Sequence, residues 1–259
     1  VPGEIVCSFA ALDVLGEALR INVRRFPFVV PHHGATREDR LRLVEAVHRD
    51  LIDRGLVRDG EFAPELVEAL HVFARGHLMI ALVGTIGDTQ PAALAVTDDR
   101  TGVVAEQQGE TIAFWLCQPD AAVPALVRLL PPMRPGPGVS VTVTDTSAPK
   151  GRRRADDDFS EHTFRTPVKA TAPSPAGQRA AAEEILRRPR LGAGYLQVST
   201  RGRNGQETEL GTINYLDTDV GRYAVIPTAG QDGRLAATYT PADQAALDRQ
   251  LNRIIDSHR

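Results

Sequence analysis

Apolar and polar residues alternate along two long stretches of this chain, residues 77–130 and 195–255, and each reads as strands leading into an amphipathic helix. The first stretch begins with HLMIALVGT, turns around GDTQP, continues through AALAVTDDRTGVVAEQQGETIAFWL and closes on AAVPALVRLL. The second begins with YLQVSTRG, turns at RNGQE, continues through TINYLDTDVGRYAVIPTAGQDGRLAATY and closes on TPADQAALDRQLNRII. In each, a strand-like run, a polar turn and two further strand-like runs precede the helix. One sheet-plus-helix unit is stated twice, and such a repeat without a dense cluster of reactive side chains suits a binding scaffold.

Ahead of the first unit, residues 4–9 read as a short strand, and Leu12, Leu15, Leu19 and Ile21 follow close to helical spacing. Residues 24–30 return to an extended pattern before PHHG. Thr36 with Asp39 three positions on reads as an N-cap with an acid in the first turn, and Leu41, Val44, Val47, His48 and Leu51 mark the helical face expected after it. RGLVRDGE is the stop. Pro64 opens a second helix that runs through Leu66, Val67, Leu70 and Val72 to Arg75, and Gly76 closes it.

Between the units, PPMRPGPG cannot hold a helix, VSVTVTD alternates as a strand, and KGRRRADDD sets a basic run against an acidic one, the mark of a solvated loop. Residues 176–188 predict a helix stopped by Pro189. In the second unit Asn204 with Gly205, and Asp232 with Gly233, signal hairpins, while Val198, Ile213, Tyr215, Tyr223, Val225 and Leu235 supply the content of a half-buried sheet. Thr240, Pro241 and Asp243 predict the start of the last helix, and Leu247, Leu251, Ile254 and Ile255 its apolar stripe.

Composition narrows what such a scaffold binds. At 259 residues, 42% hydrophobic and 24% charged, the chain is ordinary globular material able to bury a substantial core. A net charge of -3 gives no basic footprint for nucleic acid. No stretch approaches the roughly 20 apolar residues of a membrane helix, and no basic segment with an apolar run stands at the N-terminus, so the cytoplasm is the expected compartment. Cys7 and Cys117, each among apolar strand residues, read as small buried hydrophobes rather than a redox pair, and two thiols do not make a zinc site.

The side chains that carry chemistry stay scattered. Asp217, Asp219 and Gly221 resemble the opening of a calcium loop, but its third acid and closing Glu are missing, and a tight turn whose Asp side chains bond the local backbone accounts for them better. His32 and His33 are adjacent and point apart in an extended segment, and His48, His71 and His77 have no carboxylate at ligand spacing, so no metal site is predicted. RGRNGQ, at residues 201–206, has glycines but lacks the Lys and Ser/Thr of a phosphate loop. No nucleophile, base and orienting group assemble, so no catalytic residue and no cofactor are assigned.

LDVLGEALRINVRRFPFVVPHHG, APELVEAL, GTINYLDTDVGRY and GQDGRLAATYTPADQAAL together resemble the EspG family of actinobacteria, over essentially the whole chain, with the C-terminal block the most specific part. The resemblance implies an α+β protein, a central antiparallel sheet flanked by helical bundles, built as one domain over 1–259 from two pseudo-two-fold-related halves at about 1–133 and 139–259. It also implies a cytosolic chaperone of a type VII secretion system. Such a chaperone holds the hydrophobic tip of the PPE protein in a PE-PPE heterodimer, keeps it soluble and directs it to secretion. Another helical type VII substrate is the nearest alternative client. Matching by position points to Thr85, Ile86, Asp88 and Gln90 in a turn, to Ile213, Asn214 and Tyr215 on a strand, and to helix faces near 181–186 and 242–251, including Gln244. A competing reading makes Ile213 and Tyr215 sheet core. From another class, a small-ligand or enzymatic α/β domain with a polar pocket between the halves is the alternative to a broad apolar groove. A homodimer through an exposed sheet edge stays open.

Overall fold

The computed structural model of the chain describes residues 3–144, 174–202, 204–229 and 235–258. The basic and acidic block at 150–158 and the Asp232–Gly233 pair lie outside them. Strand β1 (Ile5–Ser8) runs straight into α1 (Phe9–Leu19), where the Ser8 hydroxyl accepts the Ala11 N–H as N-cap. Helix α2 (Arg37–Asp53) opens on a full capping box: Thr36 Oγ1 accepts the Asp39 N–H at 3.1 Å, and the Asp39 carboxylate accepts the Thr36 N–H at 3.3 Å. Its inward stripe is Leu43, Val47 and Leu51, spaced i, i+4, i+8, whereas Leu41, Val44 and His48 face out. The five-residue face read from the sequence is thereby corrected.

Residues 24–30 form no strand. Arg24 and Arg40 bind the buried Asp13 carboxylate, Asp13 also accepts the His33 N–H at 3.0 Å, and this web fixes the connector between α1 and α2. Burial by itself would raise the Asp13 carboxyl, but the His33 N–H and the two guanidinium groups hold it below the usual carboxylate range. The segment read as a stop is a small hairpin of β2 (Val57–Arg58) and β3 (Glu61–Phe62), turned by Asp59 and Gly60, both at positive φ. Helix α3 (Pro64–Arg75) follows with Pro at its first position and Gly76 as its C-cap.

Four strands then run as a meander: β4 (Leu78–Ile86), β5 (Ala92–Thr97), β6 (Gly102–Gln108) and β7 (Thr111–Cys117), closed by the short α4 (Ala122–Val127). After β8 (Val141–Thr144) and α5 (Pro175–Arg187), a second meander comprises β9 (Arg190–Arg201), β10 (Glu207–Thr218), β11 (Gly221–Ala229) and β12 (Leu235–Pro241), closed by α6 (Gln244–Asp256). Each unit thus has three strands after the first, one more than the sequence reading. Helix α6 is capped by Asp243, whose carboxylate accepts the Ala246 N–H at 2.7 Å; Pro241 is the last residue of β12, so the cap expected at Thr240 sits three residues early.

The fold class is α+β. Ten strands of the described residues form one sheet in the order β1-β7-β6-β5-β4-β9-β10-β11-β12-β8, every pair antiparallel. Outward from the central β4–β9 pair the order runs through three consecutive strands on each side to a four-residue edge strand that precedes its meander in the chain. Among the described residues, these edges offer little ladder to another chain.

The sheet buries residues on both faces. On one face, α1, α2 and α3 cover the β1-to-β4 half around Phe73 and Phe114, whose rings meet edge to face at 5.3 Å. Farther along the same face, α5 packs Ala182 and Ile185 on Val141, Leu216 and Tyr223. On the opposite face, α4 and α6 share one core with Leu82, Leu196, Ile213 and Tyr215 across the middle of the sheet. Close approach at that centre excludes side chains: a Cβ on Gly84 would lie 2.2 Å from the Tyr215 hydroxyl.

Candidate functional site

Among the described residues, helix cover on the α3 and α5 face has a gap. Helix α3 lies over β5, β6 and β7, and α5 lies over β8, while α6 meets β9 and β10 from the other face. Between the two groups runs a half-buried cross-strand row set by register, in which Val83 stands opposite Tyr195, Tyr195 opposite Asn214, Asn214 opposite Val225 and Val225 opposite Tyr239. Their neighbours Leu82, Leu196, Ile213, Tyr215 and Ala224 point into the α4–α6 core, because strand residues alternate between faces. Val225 and Tyr239 lean on the α5 cluster, whereas Val83, Tyr195 and Asn214 belong to none of the buried clusters.

Toward the β4–β5 turn the strip continues through Thr85, which is exposed and whose hydroxyl donates to the Ala193 carbonyl at 3.4 Å. Asp88 and Gln90 are exposed in that turn. Toward the other end the row becomes polar. There Gln197 Nε2 and Thr212 Oγ1 donate to the two oxygens of Glu209, at 2.8 and 2.7 Å. The seam between the meanders is a continuous hydrogen-bonded ladder from Leu78–Thr200 to Ile86–Gly192, so the halves meet as paired strands.

The structure divides the residues singled out from the sequence. Thr85, Asp88, Gln90 and Asn214 lie on or beside the open strip. Ile86 turns to the opposite face and packs against the α4–α6 core. Ile213 and Tyr215, expected on an exposed sheet face, are 0% and 2% exposed and form part of that core. Their parity on β10 is the reason: Asn214 takes the open face, so its neighbours take the closed one. Gln244 also sits on the closed side, where its Nε2 donates to the Leu130 carbonyl at 2.7 Å and to the Val127 carbonyl, in the last turn of α4, at 3.4 Å. Of the two helix faces, the one near 181–186 offers an exposed Leu186. Tyr195, Val83 and Tyr239 were missed, and the signal that finds them is register: Tyr195 stands opposite Asn214, Val83 opposite Tyr195, and Tyr239 opposite Val225.

The most specific motif proves to be a lock within the fold. Arg222, fully buried, donates to both oxygens of Asp217 at 2.6 and 2.8 Å and to the Pro131 carbonyl at 3.1 Å. Asp217 therefore binds a guanidinium, which corrects the expectation that it bonds its local turn. The Arg222 backbone exchanges hydrogen bonds with Arg134 and Gly136, and the Tyr223 hydroxyl donates to the Pro137 carbonyl, so the Pro-rich connector is fastened across β11. Burial, with the Asp217 charge added, pushes the Tyr215 hydroxyl up to about 12.

Among the described residues, no three His, Cys, Asp or Glu side chains gather as a metal-holding group, and no helix is long and apolar enough to cross a membrane. No curated protein matches the chain by sequence. Among solved structures, the Mycobacterium tuberculosis type VII secretion system chaperone EspG5, solved in complex with a PE25-PPE41 dimer, is similar over 98% of this chain and 96% of that chain, with a TM-score of 0.63 at 14% identity. That likeness establishes a shared fold. The family model of the EspG family matches residues 8–253, nearly the whole sequence. The chain belongs to the EspG family.

Proposed function

We propose that this protein is a chaperone of a type VII secretion system and that its open sheet strip receives the hydrophobic tip of a PPE protein presented by a PE-PPE heterodimer. The single observation that carries the reading is the strip itself, a part of the sheet face that no helix of the described residues covers, in a chain of the EspG family. Its similarity in fold to a chaperone solved with a PE-PPE dimer supports the choice of client. Val83, Tyr195 and Asn214 supply the contact surface, with Thr85, Asp88 and Gln90 at its rim. A standard interface buries about 1,600 Å² in total, and a few apolar anchors near its centre supply most of the energy. Tyr195 is the anchor best placed, with a large ring and a polar tip.

The protein acts in the cytoplasm as a binder and not as an enzyme. We also infer that the chain is one domain over 1–259, with pseudo-two-fold halves at about 1–133 and 139–259. The matching strand order on either side of β4 and β9 supports this. Co-expression with a PE-PPE pair encoded beside a type VII secretion locus of the source organism, followed by size-exclusion chromatography, tests the function. A stable 1:1:1 complex is the expected result. Failure with several soluble, correctly paired candidates would overturn the assignment of PE-PPE clients and move the search to other helical substrates.

A further inference from the structure

At the polar end of the strip a cavity of about 280 Å³ opens beneath Phe26, whose side chain projects from the α1–α2 connector and is 55% exposed. Its floor is apolar: Met79, Ala81 and Leu94 stand on β4 and β5 with almost no exposed surface. Its far wall is acidic, formed by Glu207 and Glu209 of β10.

The two acids are not alike. Glu207 is neutralised by Arg25 at 3.2 Å and Arg201 at 3.1 Å. Both arginines also donate to the Ala74 carbonyl in the last turn of α3, where the helix end carries partial negative charge. Glu209 is exposed and accepts only from the neutral Gln197 and Thr212 side chains; among the described residues no cation lies within ion-pair distance of it. Those two donors fix its carboxylate in place at the cavity mouth, leaving its charge uncompensated.

We propose that this cavity takes a Lys or Arg side chain of the client, its aliphatic stem on the Met79–Ala81–Leu94 floor and its cationic head paired with Glu209. Long basic side chains have this two-part character, an apolar stem and a charged end. The exposed Phe26 ring adds a face to which a cation is attracted. Arg25 also lines the cavity, but its charge is taken up by Glu207, so the charge left open at the mouth is the Glu209 carboxylate, which an acidic client group would meet unfavourably. Gln197 and Thr212 lie two residues from Tyr195 and Asn214 on the same strand faces, so the pocket continues the client strip. The inference rests on the client binding proposed above, and the pocket adds charge selectivity to it.

The test is the affinity of wild type, Glu209→Gln and Glu209→Lys for one PE-PPE heterodimer, measured at low and high salt, with melting temperatures as a control for folding. Wild-type affinity should fall as salt rises. Glu209→Lys should bind roughly tenfold or more weakly, and Glu209→Gln should weaken binding less and flatten its salt dependence. Phe26→Ala should weaken binding without changing the salt dependence. A wild-type complex whose affinity is the same in both Glu209 variants would overturn the pocket assignment alone. No complex with wild type for any pair would overturn client binding and the pocket with it.

Discussion

At the scale of the residue, one position of parity decides what β10 does. Ile213 and Asn214 are neighbours, yet one lies at 0% exposure in the α4–α6 core and the other on the open strip. Ile213→Arg therefore buries a charge without a partner and should cost about 3 kcal/mol or more, seen as a large drop in melting temperature. Asn214→Arg should melt like wild type and lose client binding. A stable Ile213→Arg protein would show that the faces are assigned the wrong way round. Cys7 gives a second residue-scale outcome, since burial raises its thiol from 9.0 to about 12. The unfolded chain releases that proton first, so the contribution of this group to stability is full below pH 9 and is lost as pH rises from 9 toward about 12. At mildly alkaline pH, alkylation followed by mass spectrometry should modify the half-buried Cys117 before Cys7, with Cys7 reacting only on unfolding; labelling of native Cys7 at the rate of a free thiol would contradict its burial.

At the scale of the element, much was legible because local rules were in force. The Thr36 cap, Pro64 at the head of α3 and Gly76 at its end all follow from backbone groups that need partners within a few residues. The α2 stripe was misplaced because Leu41 and Val44 match helical spacing as well as Leu43 does; only the direction of α1 and the sheet picks the buried set. The last helix shows the opposite error, since β12 runs on through Pro241 and delays the cap to Asp243. Packing between elements also constrains glycines that sequence leaves unexplained. Gly84 on β4 is covered by the Tyr215 hydroxyl from β10, two strands away, so Gly84→Ala should destabilise the sheet by about 1–3 kcal/mol through overpacking. A denaturant midpoint equal to that of wild type would show that Tyr215 yields without cost.

At the scale of the whole molecule, the duplicated alternation announced the two meanders, and the residues of the GTINYLDTDVGRY block carried the likeness to the family. That block turned out to hold the fold, through the buried Asp217–Arg222 pair, and within it only Asn214, with Thr212 at the polar end, lies on the open strip. The strip was illegible because no local rule creates it: among the described residues it exists where α3 and α5, encoded about a hundred residues apart, leave the middle stretch of β4, β9 and β10 around Val83, Tyr195 and Asn214 without helix cover. Register across five strands then brings Val83, Tyr195, Asn214, Val225 and Tyr239 into one row. On the proposed function, this row is where a helical client is held. The most direct test of that placement is calorimetric titration of wild type and a folded Tyr195→Arg variant against the same PE-PPE heterodimer. Wild type should bind, and the variant, with an unchanged melting temperature, should bind at least about thirtyfold more weakly, the loss of one central anchor. Equal affinity in the two proteins would contradict that placement.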